Sequence, residues 1–289
     1  MLSEQVVSRV KKASKGNHMV LFYNSQKEKH QIIFPFIEHG LEKGEAIIYL
    51  SDEQSARQII KELSTFGIDV EKQEKTGALK ILEGEEWYVE NGTINKELVV
   101  KKWVKAFSDA TKKGFCGLRV SGEPTYFFRH NLLKPWMEYE RSLPRTFDFP
   151  ITAICRYKTG DLASHNPNYL LELVRIHSHS ITSTSIQKID FQNFFLESVD
   201  NTFKHILGES GTRAVYHYLW NECKLPRNNI GNKTSLFNEA LNNLFGTGTN
   251  ILQQEILKTS CCKLGLTCYA RAQNEYPCAS LSRRMEANP

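Results

Sequence analysis

Apolar residues fall in two alternating patterns along the first half of the chain. Met19-Val-Leu-Phe-Tyr23 is a short continuous run rich in strand formers. In 28–40 the period changes: Ile32, Ile33, Phe36 and Ile37 recur at helical spacing, and Gly40 supplies a stop. Ala46-Ile-Ile-Tyr-Leu50 is a second run. Ser51 and Gln54 have the spacing of a capping box, ahead of a helix that buries Ala56, Ile59, Ile60 and Leu63 and stops near Gly67. The alternation continues with a strand at 79–82, a helix at 98–110 carrying Trp103 and Phe107, and a strand at 116–120. A helix at 132–141 and a strand at 151–157 complete it. Strands apolar on both faces, separated by amphipathic helices, predict a mostly parallel sheet covered on both sides. Residues 1–160 therefore read as an α/β domain.

The pattern then changes. Residues 161–188 read as a helix and linker, with small hydroxylated residues in Ser178-His-Ser-Ile-Thr-Ser-Thr-Ser185. From Phe191 onward only helical spacing is found. Phe191, Phe195, Val199, Thr202 and Ile206 form one stripe, and Ala214, Tyr218 and Leu219 belong to a second helix closed by Pro226. Leu236, Ala240, Leu244 and Phe245 form a third, and Ile251, Leu252, Ile256 and Leu257 a fourth. Residues 189–266 are thus expected to be a small all-α domain, and 267–289, which have no period, a disordered tail.

Composition narrows the function classes. The 289 residues suggest about two domains. Lys and Arg (37) barely exceed Asp and Glu (32), for a net charge of +5. This lacks the basic bias that phosphate contacts demand, and argues against a nucleic-acid partner. No apolar run reaches the ~20 residues that cross a bilayer, and the polar N-terminus has no signal-peptide core, so a cytoplasmic protein without a membrane partner is expected. Seven irregularly spaced cysteines predict free thiols rather than a disulfide framework.

Candidate chemistry is sparse. The turn Asn24-Ser-Gln-Lys-Glu28 has neither the glycines nor the Gly-Lys-Ser/Thr of a phosphate-binding loop. Asp52-Glu53 follows a strand but reads as the first turn of a capped helix, where carboxylates suit the dipole. Gly246-Thr-Gly248 reads as a turn between helices. His177-Ser-His179 prompts metal and phosphoacceptor readings, yet has no spaced Cys or carboxylate partners, and Cys261, Cys262, Cys268 and Cys278 do not form a paired zinc pattern. No metal and no cofactor are expected. His18, at the start of the first strand, suits packing and ligand contact equally. The strand ends are richer, because ligands of open α/β sheets bind beyond the carboxyl ends of the strands. Tyr23, Trp87 and Tyr126 would wall a pocket there, with Glu123 and Arg119 or Arg156 as its charges. A Glu123–Arg ion pair that only fixes a loop fits the same residues. No nucleophile–base–orienter set is visible, so the protein reads as a non-enzyme.

His18-Met-Val-Leu-Phe-Tyr23, Pro35-Phe36-Ile37, Gly40-Leu41, Gly44-Glu45, Gly117-Leu-Arg119 with Gly122-Glu123, and Tyr139-Glu140 resemble the MEDS sensory domain over about residues 15–160. The resemblance implies a RecA- or KaiC-like core with a degenerate P-loop, and sensing of small hydrocarbon derivatives in signal transduction. Glu197-Ser-Val-Asp200, Ile206-Leu-Gly208-Glu209 and Leu244-Phe245-Gly246 are similar to a small uncharacterised archaeal helical module. The expected function is a sensor that binds a small organic ligand at Tyr23, Trp87, Arg119, Glu123, Tyr126 and His18. The helical domain would pass its state on through a homodimer or a downstream signalling protein. A degenerate RecA-like nucleotide binder or ATPase, and a DNA-associated transcriptional regulator, are the alternatives.

Overall fold

The computed structural model describes residues 3–166 and 168–266. Among the described residues there are nine strands: β1 (His18–Tyr23), β2 (Ala46–Ser51), β3 (Leu79–Glu83), β4 (Val89–Glu90), β5 (Thr93–Ile94), β6 (Leu118–Gly122), β7 (Ile151–Lys158), β8 (His179–Ile181) and β9 (Ile186–Lys188). Seven of them form one sheet in the order β3-β2-β6-β7-β1-β8-β9, and only β9 runs antiparallel to its neighbour. β4 and β5 make a separate hairpin.

Helices cover both faces, as the doubly apolar strands require. The helices of residues 1–188 are α1 (Glu4–Lys11), α2 (Gln26–Glu42), α3 (Ala56–Phe66), α4 (Val70–Thr76), α5 (Gly84–Tyr88), α6 (Lys96–Lys112), α7 (Thr125–Arg129), α8 (Leu133–Ser142), α9 (Thr159–His165) and α10 (Asn168–Ile176). Met19, Leu21, Tyr23, Ile47 and Tyr49 face Ile33, Phe36 and Ile37 of α2 in one buried cluster. The alternate strand positions His18, Val120, Ala153 and Cys155 face the opposite way, toward Trp103 of α6 and Tyr139 of α8.

The chain divides into two compact units at Lys188/Ile189. The second contains α11 (Phe191–Asn221), α12 (Thr234–Phe245) and α13 (Thr249–Lys263). α11 breaks at Gly208, whose φ of 69° and extended ψ fall outside helical geometry, so the two helices read from the sequence are two segments. Gly246–Gly248 is a 3₁₀ turn between α12 and α13.

Several expectations need correction. Residues 161–188 are no linker: they build α9, α10 and the strands β8 and β9 that extend the sheet beyond β1. The capping box lies four residues later than expected, with Ser55 and Gln58 starting α3. Ser51 ends β2 and donates instead to the Gln54 carbonyl, so Asp52 and Glu53 lie in a loop and not in a helix turn. The expected disordered tail, 267–289, lies outside the described residues. Cys116, Cys155 and Cys223 are free thiols, whereas Cys262 is disulfide-bonded.

Candidate functional site

The carboxyl edge of the sheet gathers charges. β1 passes to α2 through Asn24 and Ser25 alone, and Ser25 caps the helix by accepting from the Glu28 N–H. This short turn places Lys29 one turn into α2, where its amine is fully buried and donates to Glu123 Oε2 at 2.8 Å. Glu123, one residue past β6, is also fully buried. Its Oε1 accepts the backbone N–H groups of Asp52 and Glu53, each at 2.9 Å. Tyr23 Oη bridges Glu123 (3.3 Å) and Glu53 (3.0 Å), and Lys158 closes on Glu53 at 2.7 Å. Arg156, buried over the Tyr49 ring at 4.1 Å, donates to the carbonyls of Leu50 and Gly122. Burial alone would raise the Glu123 pKa, but Arg156 and then Lys29 outweigh it and hold the group down at about 2. Asp52 moves the other way: burial and the Glu123 charge push it up to about 7.

Tyr23, Glu123 and Arg156 therefore meet as expected from the sequence, but the other residues assigned to that edge do not join them. Arg119 shares a sheet face with Glu123 yet sits four residues back, about 13 Å at strand rise. It pairs with buried Glu45 at 2.6 Å and donates to the carbonyls of Lys11 and Phe36. Gly40 makes room for it, since a Cβ there would lie 2.6 Å from the Arg119 side chain. Arg119 is thus a brace at the amino end of the sheet and not a charge of the crevice. Tyr126, on α7, donates to Glu85 in an exposed hydrogen bond and stacks on His130. Trp87 packs on Trp103 with ring centroids 4.4 Å apart. His18 lies on the opposite face from Glu123.

That opposite face holds a second constellation. A cavity of about 170 Å³ lies between the sheet and the helices α6 and α8. Tyr88, Trp103, Tyr139, Phe147 and Phe149 line it, and Val100 and Val104 of α6, 37% and 51% exposed, stand on its solvent side. His18, Cys155 and Ser142 are among its polar lining. Behind them lie Glu140 of α8 and His177, at the end of α10. The donor atoms of His18, Cys155, Glu140 and His177 all lie within 4.8 Å of one another.

The surrounding hydrogen bonds fix how these four side chains point. His18 Nδ1 lies 3.0 Å from the Pro144 carbonyl and His177 Nδ1 2.8 Å from the Leu173 carbonyl. Each Nδ1 is therefore the protonated nitrogen, and each Nε2 lone pair turns inward. Tyr157 donates to Glu140 Oε1 at 2.7 Å and in turn accepts from the Trp136 indole, leaving Glu140 Oε2 facing the histidines. Ser178 donates to the His18 carbonyl through both its N–H and its hydroxyl, which latches the α10–β8 turn and His177 to β1. Burial holds His18 down at about 4, and raises Glu140 to about 7 despite the Tyr157 and Cys155 hydrogen bonds.

This cluster corrects the expectation that His177 lacks Cys and carboxylate partners. They come from 155 and 140, far from any motif spacing. The only sequence signal was indirect: His18 and Tyr139-Glu140 both fall in the MEDS-like motifs, but nothing in their spacing joined them to Cys155 or His177.

A mostly parallel sheet covered on both faces, with an ion network at its carboxyl edge and an apolar cavity on one face, defines the class as an α/β domain. The chain belongs to the MEDS family, the MEthanogen/methylotroph, DcmR Sensory domain, which it matches over residues 17–178. The solved structures it resembles include a KaiC-like protein of Pyrococcus horikoshii OT3, at 20% identity and a TM-score of 0.44, covering 58% of this chain and 71% of that one. An uncharacterized P. horikoshii protein solved with an unknown peptide gives 20% identity and a TM-score of 0.42, covering 63% and 84%. No curated protein matches the chain.

Proposed function

We propose that the protein is a non-enzymatic, cytoplasmic sensor, and that its ligand is a small, largely apolar organic molecule held in the cavity between the sheet, α6 and α8. The cavity's size and lining carry this reading. An apolar cavity of about 150 Å³ is enough to take up benzene, so about 170 Å³ suits a hydrocarbon derivative of a few carbons and is too small for a nucleotide. The aromatic wall supplies dispersion and hydrophobic gain, and His18 and Cys155 supply the few polar atoms that orient a ligand. At the other candidate, the carboxyl edge, both Glu123 oxygens are already engaged, so a ligand there would first have to displace Lys29 or two backbone N–H groups. The two-residue Asn24-Ser25 turn also disfavours the nucleotide alternative, because it offers no loop of backbone N–H groups to cradle phosphates. The helical unit passes the ligand-bound state to a second copy or a signalling partner.

Thermal unfolding with benzene, toluene, butanol and butanethiol tests the assignment. A ligand at a hundredfold its Kd adds about 2.7 kcal/mol, at about 2–4 °C per kcal/mol for a domain of this size. Ala153→Leu, which fills the cavity from β7, abolishes the shift, and Glu123→Gln retains it. The opposite pattern would move the site back to the carboxyl edge.

A further inference from the structure

We propose that His18 Nε2, His177 Nε2, Cys155 Sγ and Glu140 Oε2 bind one divalent transition-metal ion of the zinc class, at a closed four-coordinate site that shares His18 and Cys155 with the cavity wall. Spacing carries the argument first. A tetrahedral zinc ion with bonds of about 2.0–2.3 Å to N, O and S holds its donors about 3.3–3.7 Å apart. His18 Nε2 lies 3.4 Å from Cys155 Sγ, His177 Nε2 lies 3.7 Å from Glu140 Oε2, and His18 Nε2 lies 3.9 Å from Glu140 Oε2.

Orientation carries it further. Both histidines give their Nδ1–H to a backbone carbonyl, the arrangement that fixes ligating histidines and sharpens the basicity of Nε2. The carboxylate is steadied on its other oxygen by Tyr157, itself held by Trp136. His177 Nε2 and Glu140 Oε2 are buried without a hydrogen-bond partner. Buried polar atoms are paired in the great majority of cases, and here the two orphans aim at the same point as a second imidazole and a thiol.

The four side chains come from β1, β7, α8 and the end of α10, so an ion would tie the sheet to both helices beside the cavity. Uptake would expel the thiol proton of Cys155 to solvent, leaving thiolate as the ligand. A donor set of two imidazoles, one thiolate and one carboxylate suits zinc, and also cobalt(II), which reports its ligands by colour.

The test is metal content of the purified full-length chain, followed by chelator stripping and titration with zinc and cobalt(II). One ion per chain is expected, with a thiolate-to-cobalt charge-transfer band and intense visible bands of tetrahedral cobalt. Cys155→Ser removes the charge-transfer band, and Cys116→Ser, at an exposed thiol, keeps it. His177→Gln lowers zinc affinity at least tenfold in competition with a chromophoric chelator. A stripped chain that stays folded by circular dichroism and takes up neither metal overturns the inference, and needs no variant. A charge-transfer band that survives Cys155→Ser also overturns it. Because the cavity reading is tested separately, the two can fail apart: cobalt uptake without any organic-ligand shift supports the metal site and removes the cavity reading. Ligand shifts in a chain that takes up no metal do the reverse.

Discussion

At the carboxyl edge, buried Lys29 and Arg156 stand against buried Glu123, and each Glu123 oxygen has at least two donors. Across the sheet, His18, Cys155, Glu140 and His177 are just as buried or nearly so, but His177 Nε2 and Glu140 Oε2 have no hydrogen-bond partner and lie against the His18–Cys155 pair. The first group compensates most of its own desolvation by ion pairing, although Arg156 Nη1 and Asp52 Oδ2 have no hydrogen-bond partner, and it holds loops and helix ends in place. The second group leaves acceptor capacity unused beside a cavity, which is costly in the absence of a ligand. Two polar clusters in one sheet thus differ in balance: at the edge opposite charges face each other, whereas the histidine cluster sets two unpartnered acceptors together, the feature on which the proposed metal site rests.

The sharpest way to break this contrast is to remove one member from each side. Glu123→Ala leaves Arg156 buried without its counter-charge, leaves Lys29 with Glu53 alone at 3.6 Å, and strips two backbone N–H groups of their acceptor. Losing one partner of a buried ion pair costs about 3–5 kcal/mol, so urea unfolding should show a large drop in midpoint. His177→Leu, measured in chelator-treated protein, removes an unpartnered nitrogen and replaces it with apolar volume. Such a change loses the Nδ1–H bond to the Leu173 carbonyl, but that carbonyl keeps the His177 backbone N–H, so the cost is about 1 kcal/mol, well below that of Glu123→Ala. Equal losses in the two variants would make the histidine cluster structural and erase the distinction.

The edge has an internal contrast that pH exposes. Glu123 titrates at about 2 when folded against an ordinary 4.5, so its contribution is complete above 4.5 and is lost as pH falls toward 2. That is about 3 kcal/mol by linkage. Asp52 titrates at about 7 against 3.8, so the folded state holds a proton that the unfolded state has released. Stability contributed at this position therefore falls as pH rises from about 4 to about 7, with the opposite slope. Urea midpoints across this range should rise and then decline. Glu123→Gln flattens the acid limb, and Asp52→Asn removes its own part of the upper one, to which Glu140 adds and which His18 opposes. A profile unchanged by either substitution would mean that the charges at this edge are not coupled as the hydrogen bonds indicate.

The contrast also explains what could be read from the chain alone. The parallel sheet was legible because its signal is local: β1, β2 and β7 are apolar runs and α2, α3 and α6 carry helical stripes, so period alone separates them. The family resemblance was legible for the same reason, as short motifs in order. Strands β8 and β9 were missed because they are only three residues long and joined by the Ser/Thr turn 182–185, so the segment has the composition of a linker, and only the pairing of β8 with β1 and of β9 with β8 makes them strands. Arg119 and Glu123 looked like one site because they are close in sequence, but a strand carries residues four apart to opposite ends of a sheet. The His18–Cys155–Glu140–His177 cluster was illegible for the converse reason. Its members are brought together by β1–β7 pairing and by the packing of α8 and α10, and no spacing rule encodes that.

Tyr126 supplies the smallest and most selective test. The sequence made it a wall of the carboxyl-edge pocket, where an aromatic ring and a nearby carboxylate would face a ligand. In the structure its hydroxyl donates to Glu85 at 2.8 Å in an exposed hydrogen bond, and its ring stacks on exposed His130 rather than on Tyr23 or Glu123. Water replaces an exposed hydrogen bond at little cost, so Tyr126→Phe should change stability by no more than about 0.5 kcal/mol. The organic-ligand shifts should also be unchanged, because Tyr126 lines neither the cavity nor the histidine cluster. Tyr139→Phe is the matched control: it removes a buried acceptor of the Trp103 indole within the cavity wall, so it should cost about 1–3 kcal/mol and alter the shifts. If Tyr126→Phe weakened the ligand response while Tyr139→Phe did not, ligand recognition would belong to the carboxyl edge. The matched ion network there would then have to open to admit it.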